Sequence, residues 1–253
     1  MLLTADIGNT SITLGLYDDD ALIENFRLAS DRDLPQEEYE ILLKSLFAKY
    51  KIHAAIIGSV VDELNNKFKA ACDEVFKINS IVYNSELNSI VKLATDNPAE
   101  IGADRVANAC GAFILYKRPV IVIDFGTATT FDIVNSKGEF IGGIITAGLN
   151  LQLRTLNKFT SKLPQIDVAS SPSAIGKNTV DAILSGVIRG SACLIDGLIK
   201  QCEEELGEKA TIVATGGYST LIEKYMPTPF DFINPTLTLE GLRYLYQANS
   251  NIL

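Results

Sequence analysis

Leu2–Leu28 reads LLTADIGNTSITLGLYDDDALIENFRL, and Val120–Ile145 reads VIVIDFGTATTFDIVNSKGEFIGGII. Each stretch holds an apolar run, an Asp-x-Gly loop followed by threonines, an alternating strand, a polar turn and a further strand. The turns, Asp18–Asp20 and Asn135–Gly138, carry hairpin chemistry. The later parts of the two copies also correspond. Ile52–Lys67 (IHAAIIGSVVDELNNK) and Ala210–Lys224 (ATIVATGGYSTLIEK) each give an apolar strand, a small-residue loop and a helix start. Hairpins followed by a strand and helix are common in α/β proteins, but two matches in the same order point to duplication.

Helices fill the intervals. Tyr39, Leu42, Leu43, Leu46, Phe47 and Tyr50 keep helical spacing behind Pro35, Glu37 and Glu38. Val180, Ile183, Leu184, Val187, Ile188, Leu194, Ile195, Leu198, Ile199 and Cys202 trace a longer helix. On it Ala182, Gly186 and Gly190 form a small-residue stripe, suited to close packing inside a domain or at a subunit contact. The expected architecture is two α/β domains, 1–115 and 116–253, each a mixed β-sheet with flanking helices, with a ligand cleft between them.

The totals narrow the function classes. The formal charge of −9 and the lack of a Lys/Arg cluster argue against nucleic acid as a partner. Nucleotides stay open, because backbone amides and cations can supply local positive potential. The N-terminal residues have no basic region, and no uninterrupted apolar run reaches the roughly 20 residues of a membrane span, so the expectation is a cytoplasmic protein without a membrane partner. Cys72, Cys110, Cys193 and Cys202 form no CxxC pair and read as buried free thiols. His53 is the single histidine, which removes HExxH chemistry.

Asp6-Ile7-Gly8-Asn9-Thr10 and Asp124-Phe125-Gly126-Thr127-Ala128-Thr129 each put a glycine at a strand exit, where the backbone can approach phosphate oxygens. Thr10, Thr13, Thr127 and Thr129 add hydroxyl donors. The aspartates would repel phosphate unless a cation stands between. Two such loops can hold a metal–nucleotide, the logic of the actin, Hsp70 and sugar-kinase superfamily, which implies duplicated ribonuclease H-like, actin-like ATPase domains. Thr215-Gly216-Gly217 is either a contact for adenosine or a helix-entry turn. There is no GxxxxGK[ST] motif.

In Asp96–Arg105 (DNPAEIGADR), a helical face begins at Ala103 and places Asp104 in the first turn. Asp104 is then either a carboxylate paired with the helix dipole or a group that accepts or orients the proton of an attacking hydroxyl. A dipole-stabilised aspartate is a weak base, so alignment is the expected contribution.

With these pieces in order, the chain resembles the type III pantothenate kinases along nearly its whole length. The matching stretches are DIGNT, NPAEIGADR, DFGTATT, GGIITAGL, Leu163-Pro164, GKNT at Gly176–Thr179, TGGY and LTLEGL at Leu237–Leu242. The resemblance implies ATP-dependent phosphorylation of pantothenate to 4′-phosphopantothenate, the first step of coenzyme A biosynthesis. It implies ATP contacts at Asp6, Ile7, Gly8, Asn9, Thr10, Ser11, Ile12, Thr13 and Thr127. It implies pantothenate contacts at Gly102, Ala103, Asp104, Arg105 and Thr179, with Asp104 as proton acceptor. It also implies a potassium or ammonium ion on Asp124, Mg2+ with ATP, and a homodimer. Two positions depart from the family pattern: Thr95 replaces the usual pantothenate-contacting tyrosine, and Ala147 replaces a usual proline. Rival readings are a superfamily kinase for another small alcohol, against which the GADR segment speaks, a nucleotide-driven regulator, and a weakly active paralogue.

Overall fold

The computed structural model describes residues 1–171 and 173–250. Two compact units emerge: Met1–Ile114 together with the segment from Leu237 onward, and Leu115–Thr236.

The first unit opens with a meander of β1 (Leu2–Ile7), β2 (Ser11–Asp18) and β3 (Ala21–Ala29), followed by α1 (Gln36–Phe47), β4 (Ala54–Ser59), α2 (Asp62–Phe76) and β5 (Ile81–Val82). The sheet runs β3-β2-β1-β4-β5, antiparallel within the meander and parallel from β1 through β4 to β5. Alternation along β1 decides its two faces. Leu3, Ala5 and Ile7 join Ile12, Leu14 and Leu16 under α1 and α2, where Tyr39, Leu43, Phe47, Leu64 and Phe68 complete a buried core. The short strand β6 (Lys92–Leu93), a single 3-10 turn at Pro98–Glu100 and α3 (Ala103–Leu115) follow.

The second unit repeats the plan. β7 (Val120–Phe125), β8 (Ala128–Val134) and β9 (Glu139–Ala147) form the meander, and α4 (Leu149–Lys158) follows it. A continuous helical run then covers α5 (Thr179–Leu184), a π-helical turn at Ser185–Arg189 and α6 (Gly190–Leu206). β10 (Thr211–Gly216), α7 (Ser219–Glu223) and β11 (Phe232–Ile233) finish it. Its own strands lie in the order β9-β8-β7-β10-β11, with the same pattern of antiparallel and parallel pairing as the first unit. Even the irregular register recurs, at Leu16/Tyr17 in β2 and at Ile133/Val134 in β8.

Three expectations change. The last helix, α8 (Leu237–Asn249), packs on β1, β2 and β4, so residues from Leu237 onward belong with the first unit rather than with a contiguous 116–253 half. Glycines make room for it: a Cβ at Gly58 would lie 2.7 Å from Leu242 Cδ2, and one at Gly15 would lie 3.0 Å from Leu239 Cδ1. Second, the run Thr179–Leu206 spans 28 residues and is long and apolar enough, by length and composition only, to cross a membrane. Its Val187, Ile188, Ala192 and Ile195 are buried in the core of the second unit, as in a core helix, which passes the same test. Third, Cys193 is exposed, whereas Cys72, Cys110 and Cys202 are buried.

Candidate active site

The first loop leaves β1 after Asp6 and Ile7 and turns at once: the Gly8 N–H donates to the Ser11 carbonyl at 3.0 Å. Ser30, just beyond β3, holds the loop from below. Its hydroxyl donates to the Gly8 carbonyl at 2.5 Å and its N–H to the Thr10 carbonyl at 3.1 Å. Arg32 Nη2 donates to Asn9 Oδ1 at 2.8 Å, placing a guanidinium next to the loop. Asn9 and Thr10 are exposed at the tip, and Ser11, Ile12 and Thr13 begin β2. Asp6 lies opposite Thr13 on one side and Gly58 on the other.

That neighbouring strand leads to the second element. Beyond β4 the Val60 N–H donates to the Ile7 carbonyl at 3.1 Å, which ties the 58–61 loop to the first loop. Val60 in turn lies beside Gly102, the residue that precedes α3. A Cβ at Gly102 would lie 3.2 Å from Val60 Cγ1 and 2.5 Å from Asp104 Oδ1. Only glycine leaves the Asp104 carboxylate where it is. Residues 6–13 and 102–105 are therefore neighbours within one unit, joined through Val60. A cavity of about 600 Å³ borders the same segment, lined by Ser59, Val60, Tyr83, Asn84, Gly102 and Ala103 among others.

Asp104 is half-buried in the first turn of α3 and accepts from the Arg105 N–H at 2.8 Å. Burial raises its pKa above the ordinary aspartate range, and the Arg105 N–H and charge only partly offset this. Desolvation outweighs the helix N-terminus here, so Asp104 is a stronger base than its place in the first turn suggests. Thr95 sits between β6 and the 3-10 turn, and its Oγ1 is buried without a hydrogen-bond partner in the protein.

In the second unit Asp124 is the penultimate residue of β7, opposite Thr130 of β8 and Thr215 of β10. Gly216 follows with φ 83°, and a Cβ there would lie 2.6 Å from Asp124 Oδ1 and from the Phe125 nitrogen. Gly148, after β9, donates its N–H to the Thr127 carbonyl at 3.2 Å, and a Cβ on it would overlap the Thr127 carbonyl oxygen. Two glycines thus spare Asp124 Oδ1 and the exposed Thr127 loop a clash with a Cβ at positions 216 and 148. Among the described residues no cluster of three His, Cys, Asp or Glu could hold a metal ion. An ion at Asp124 would take one carboxylate and otherwise carbonyl, hydroxyl or phosphate oxygens. That is a hard-oxygen set.

Thr179 is the first residue of α5, behind Asn178, whose Oδ1 accepts from the Asp181 N–H at 2.9 Å. It borders a different, mainly apolar cavity of about 740 Å³ together with Ala147, Gln152 and Ile183. Sequence reading did not single out Val60, Gly148 or Arg32. Val60 and Gly148 lay within quoted stretches, but their use depends on backbone approaches that spacing does not reveal.

The type III pantothenate kinase family profile matches residues 2–201. The chain belongs to the type III pantothenate kinase family. A type III pantothenate kinase of Roseiflexus sp. (strain RS-1) is 41% identical over 98% of this chain and 99% of its own length. Among solved structures, a conserved Baf family protein from Campylobacter jejuni superposes with a TM-score of 0.63 at 20% identity, over 98% of this chain and 99% of that one. MreB 5 of Spiroplasma citri, bound to AMPPNP, gives 0.55 at 14% identity, over 99% and 97%. The fold is accordingly actin-like, and this type III pantothenate kinase is an ATP- and Mg2+-dependent enzyme of coenzyme A biosynthesis.

Proposed function

We propose that residues 6–13 and Thr127 hold ATP, that Thr95, Gly102, Ala103, Asp104, Arg105 and Thr179 hold pantothenate, and that Asp104 accepts the proton of the attacking alcohol. The observation that carries this reading is the path from Ile7 through Val60 to Gly102, which sets the Asp104 segment beside the first phosphate loop. The primary hydroxyl oxygen of pantothenate bonds to the γ-phosphorus and its proton passes to the Asp104 carboxylate. The bond from the γ-phosphorus to the bridging oxygen breaks, and ADP leaves with the electron pair. In such transfers positioning and charge stabilisation supply most of the acceleration. The raised pKa of Asp104 suits a proton acceptor working near neutrality better than an ordinary aspartate would.

Asp124 is assigned a potassium or ammonium ion. The phosphates of ATP carry about four negative charges at neutral pH, and the chain adds a net −9 with no Walker lysine. A monovalent cation on Asp124 would turn a repelling carboxylate into an anchor for phosphate. The glycine-lined space around Asp124 supports this assignment. A homodimer is the proposed assembly, supported by the small-residue stripe Ala182, Gly186 and Gly190, which is exposed between Val180 and Leu194, each 42% exposed. The setting is cytoplasmic, without nucleic acid or membrane as partner.

The test is mass-spectrometric detection of 4′-phosphopantothenate after the protein is mixed with ATP, magnesium, potassium and pantothenate, with sugars and glycerol as comparison acceptors. Product from a sugar or glycerol, and none from pantothenate, would overturn the reading.

A further inference from the structure

Asn249, in the last turn of α8, is 1% exposed, and its amide is fully used. Oδ1 accepts from the Asn88 N–H at 2.9 Å, while Nδ2 donates to the Asn88 carbonyl at 2.9 Å and to the Leu245 carbonyl at 2.8 Å. The side chain pairs with both backbone groups of Asn88, as a neighbouring strand would. Burial alone would favour an apolar residue here, since a buried amide costs free energy unless its partners are in place.

Asn88 lies midway in a loop with two other anchors. The Tyr83 N–H donates to the Ile57 carbonyl of β4 at 2.8 Å, and strand β6 takes up the chain at Lys92 on the other side. Between these anchors, Asn84 and Ser85 form one wall of the 600 Å³ cavity whose other wall is Pro98–Ala103. Thr95 follows a few residues later. Helix α8 thereby reaches the 84–91 loop, which walls this cavity, through the Asn249 side chain.

We infer that Asn249 is a positioning residue for pantothenate: by clasping the Asn88 peptide it holds the 84–91 loop, which leads into β6 and Thr95, in the geometry that binds the substrate. The inference rests on the proposed role of residues 95–105. It leaves ATP binding to other elements.

The test compares Asn249→Leu, similar in size but unable to clasp the peptide, with Asn88→Ala, which keeps the backbone groups that Asn249 binds. Asn249→Leu should raise KM for pantothenate by about tenfold, the scale of a lost buried hydrogen-bond pair, while KM for ATP stays within about twofold. Hydrogen exchange in peptides covering 84–91 should quicken in the same variant. Asn88→Ala should behave as wild type in both measurements. Should Asn249→Leu fail to fold, Asn249→Asp serves instead. Its carboxylate faces the Asn88 and Leu245 carbonyls, so KM for pantothenate relative to wild type should rise at neutral pH and recover as acidification restores a donor. A folded Asn249→Leu protein with unchanged KM for pantothenate, a parallel rise in both KM values, or no recovery of Asn249→Asp in acid would overturn the inference. Failure of the underlying site reading has a different sign: Asp104→Asn would then keep full turnover.

Discussion

Gly241 of α8 lies so close to Ala107 of α3 that a methyl group on Gly241 would overlap the Ala107 carbonyl. This approach lies one turn beyond Asp104, and Gly111 against Leu237 and Thr238 Oγ1 donating to Asn108 Oδ1 at 2.8 Å extend the same seam. Gly241→Ala must push the backbones apart. A loss of about 1–3 kcal/mol in urea unfolding is expected, even though alanine is the better helix former. An unchanged or raised midpoint would show that the seam has slack.

Asp104→Asn should lower kcat by about 100-fold or more with KM for ATP nearly unchanged, since it removes the proton acceptor but not the nucleotide loop. Steady-state kinetics on the folded variant decides this, and near-normal turnover would return Asp104 to a helix-start role.

The raised pKa of Asp104 has consequences for pH. The base works ionised, so kcat/KM for pantothenate should fall on the acid side with a midpoint above the ordinary aspartate value of about 3.9. For stability the sign is opposite to that of a salt-bridged aspartate. The folded state holds this proton to higher pH than the unfolded chain, so stability is lost as pH rises from the unfolded to the folded pKa. Asp104→Asn should therefore melt higher than wild type at neutral pH, with the gap closing in acid. Calorimetry at several pH values would show this, and a variant that melts lower at neutral pH would contradict it.

Legibility in the sequence followed the range of the interactions. The duplicated meander could be read because an Asp-x-Gly exit, an alternating strand and a polar turn are local patterns, and both sheets follow them. Helix α1 was equally plain from Tyr39, Leu43 and Phe47. The destination of α8 was not, because LTLEGL shows an apolar face without saying which sheet it covers, and Gly241 reads as a weak helix residue until Ala107 is seen beneath it. At the site, the place of Asp104 in the first turn was legible, but its desolvation was not, since burial comes from parts of the chain distant in sequence. Exposure of the 182–190 stripe and of Cys193 likewise depends on which face of the long helix turns into the core of the second unit.

Gly216→Ala places a methyl group against Asp124 Oδ1 and forces an L side chain to φ 83°. If Asp124 binds a monovalent cation, this variant and Asp124→Ala should both lose the rate advantage of potassium or ammonium over sodium. Matched ionic strength removes general screening as an explanation. Equal wild-type rates in the three salts would dismiss the site.

The buried Thr95 hydroxyl has no partner in the protein, so Thr95→Val should leave unfolding stability equal or slightly higher. If pantothenate supplies the missing partner, KM for pantothenate should rise about three- to tenfold with kcat little changed. Unchanged KM would mean that the hydroxyl serves no ligand.

Because α8 closes the first unit, the second unit is an insertion in the chain of the first. During synthesis the ribosome completes the second unit before it has made the helix that covers Gly15, Gly58 and Ala107. A transcript that stops ahead of Leu237 thus yields a chain whose second sheet is whole while the face of the first that bears Asp6 lies open to water. Protein quality control would meet such fragments as half-finished domains. A helix made only after the whole second unit decides whether the loop at Asp6–Thr10 has a backing.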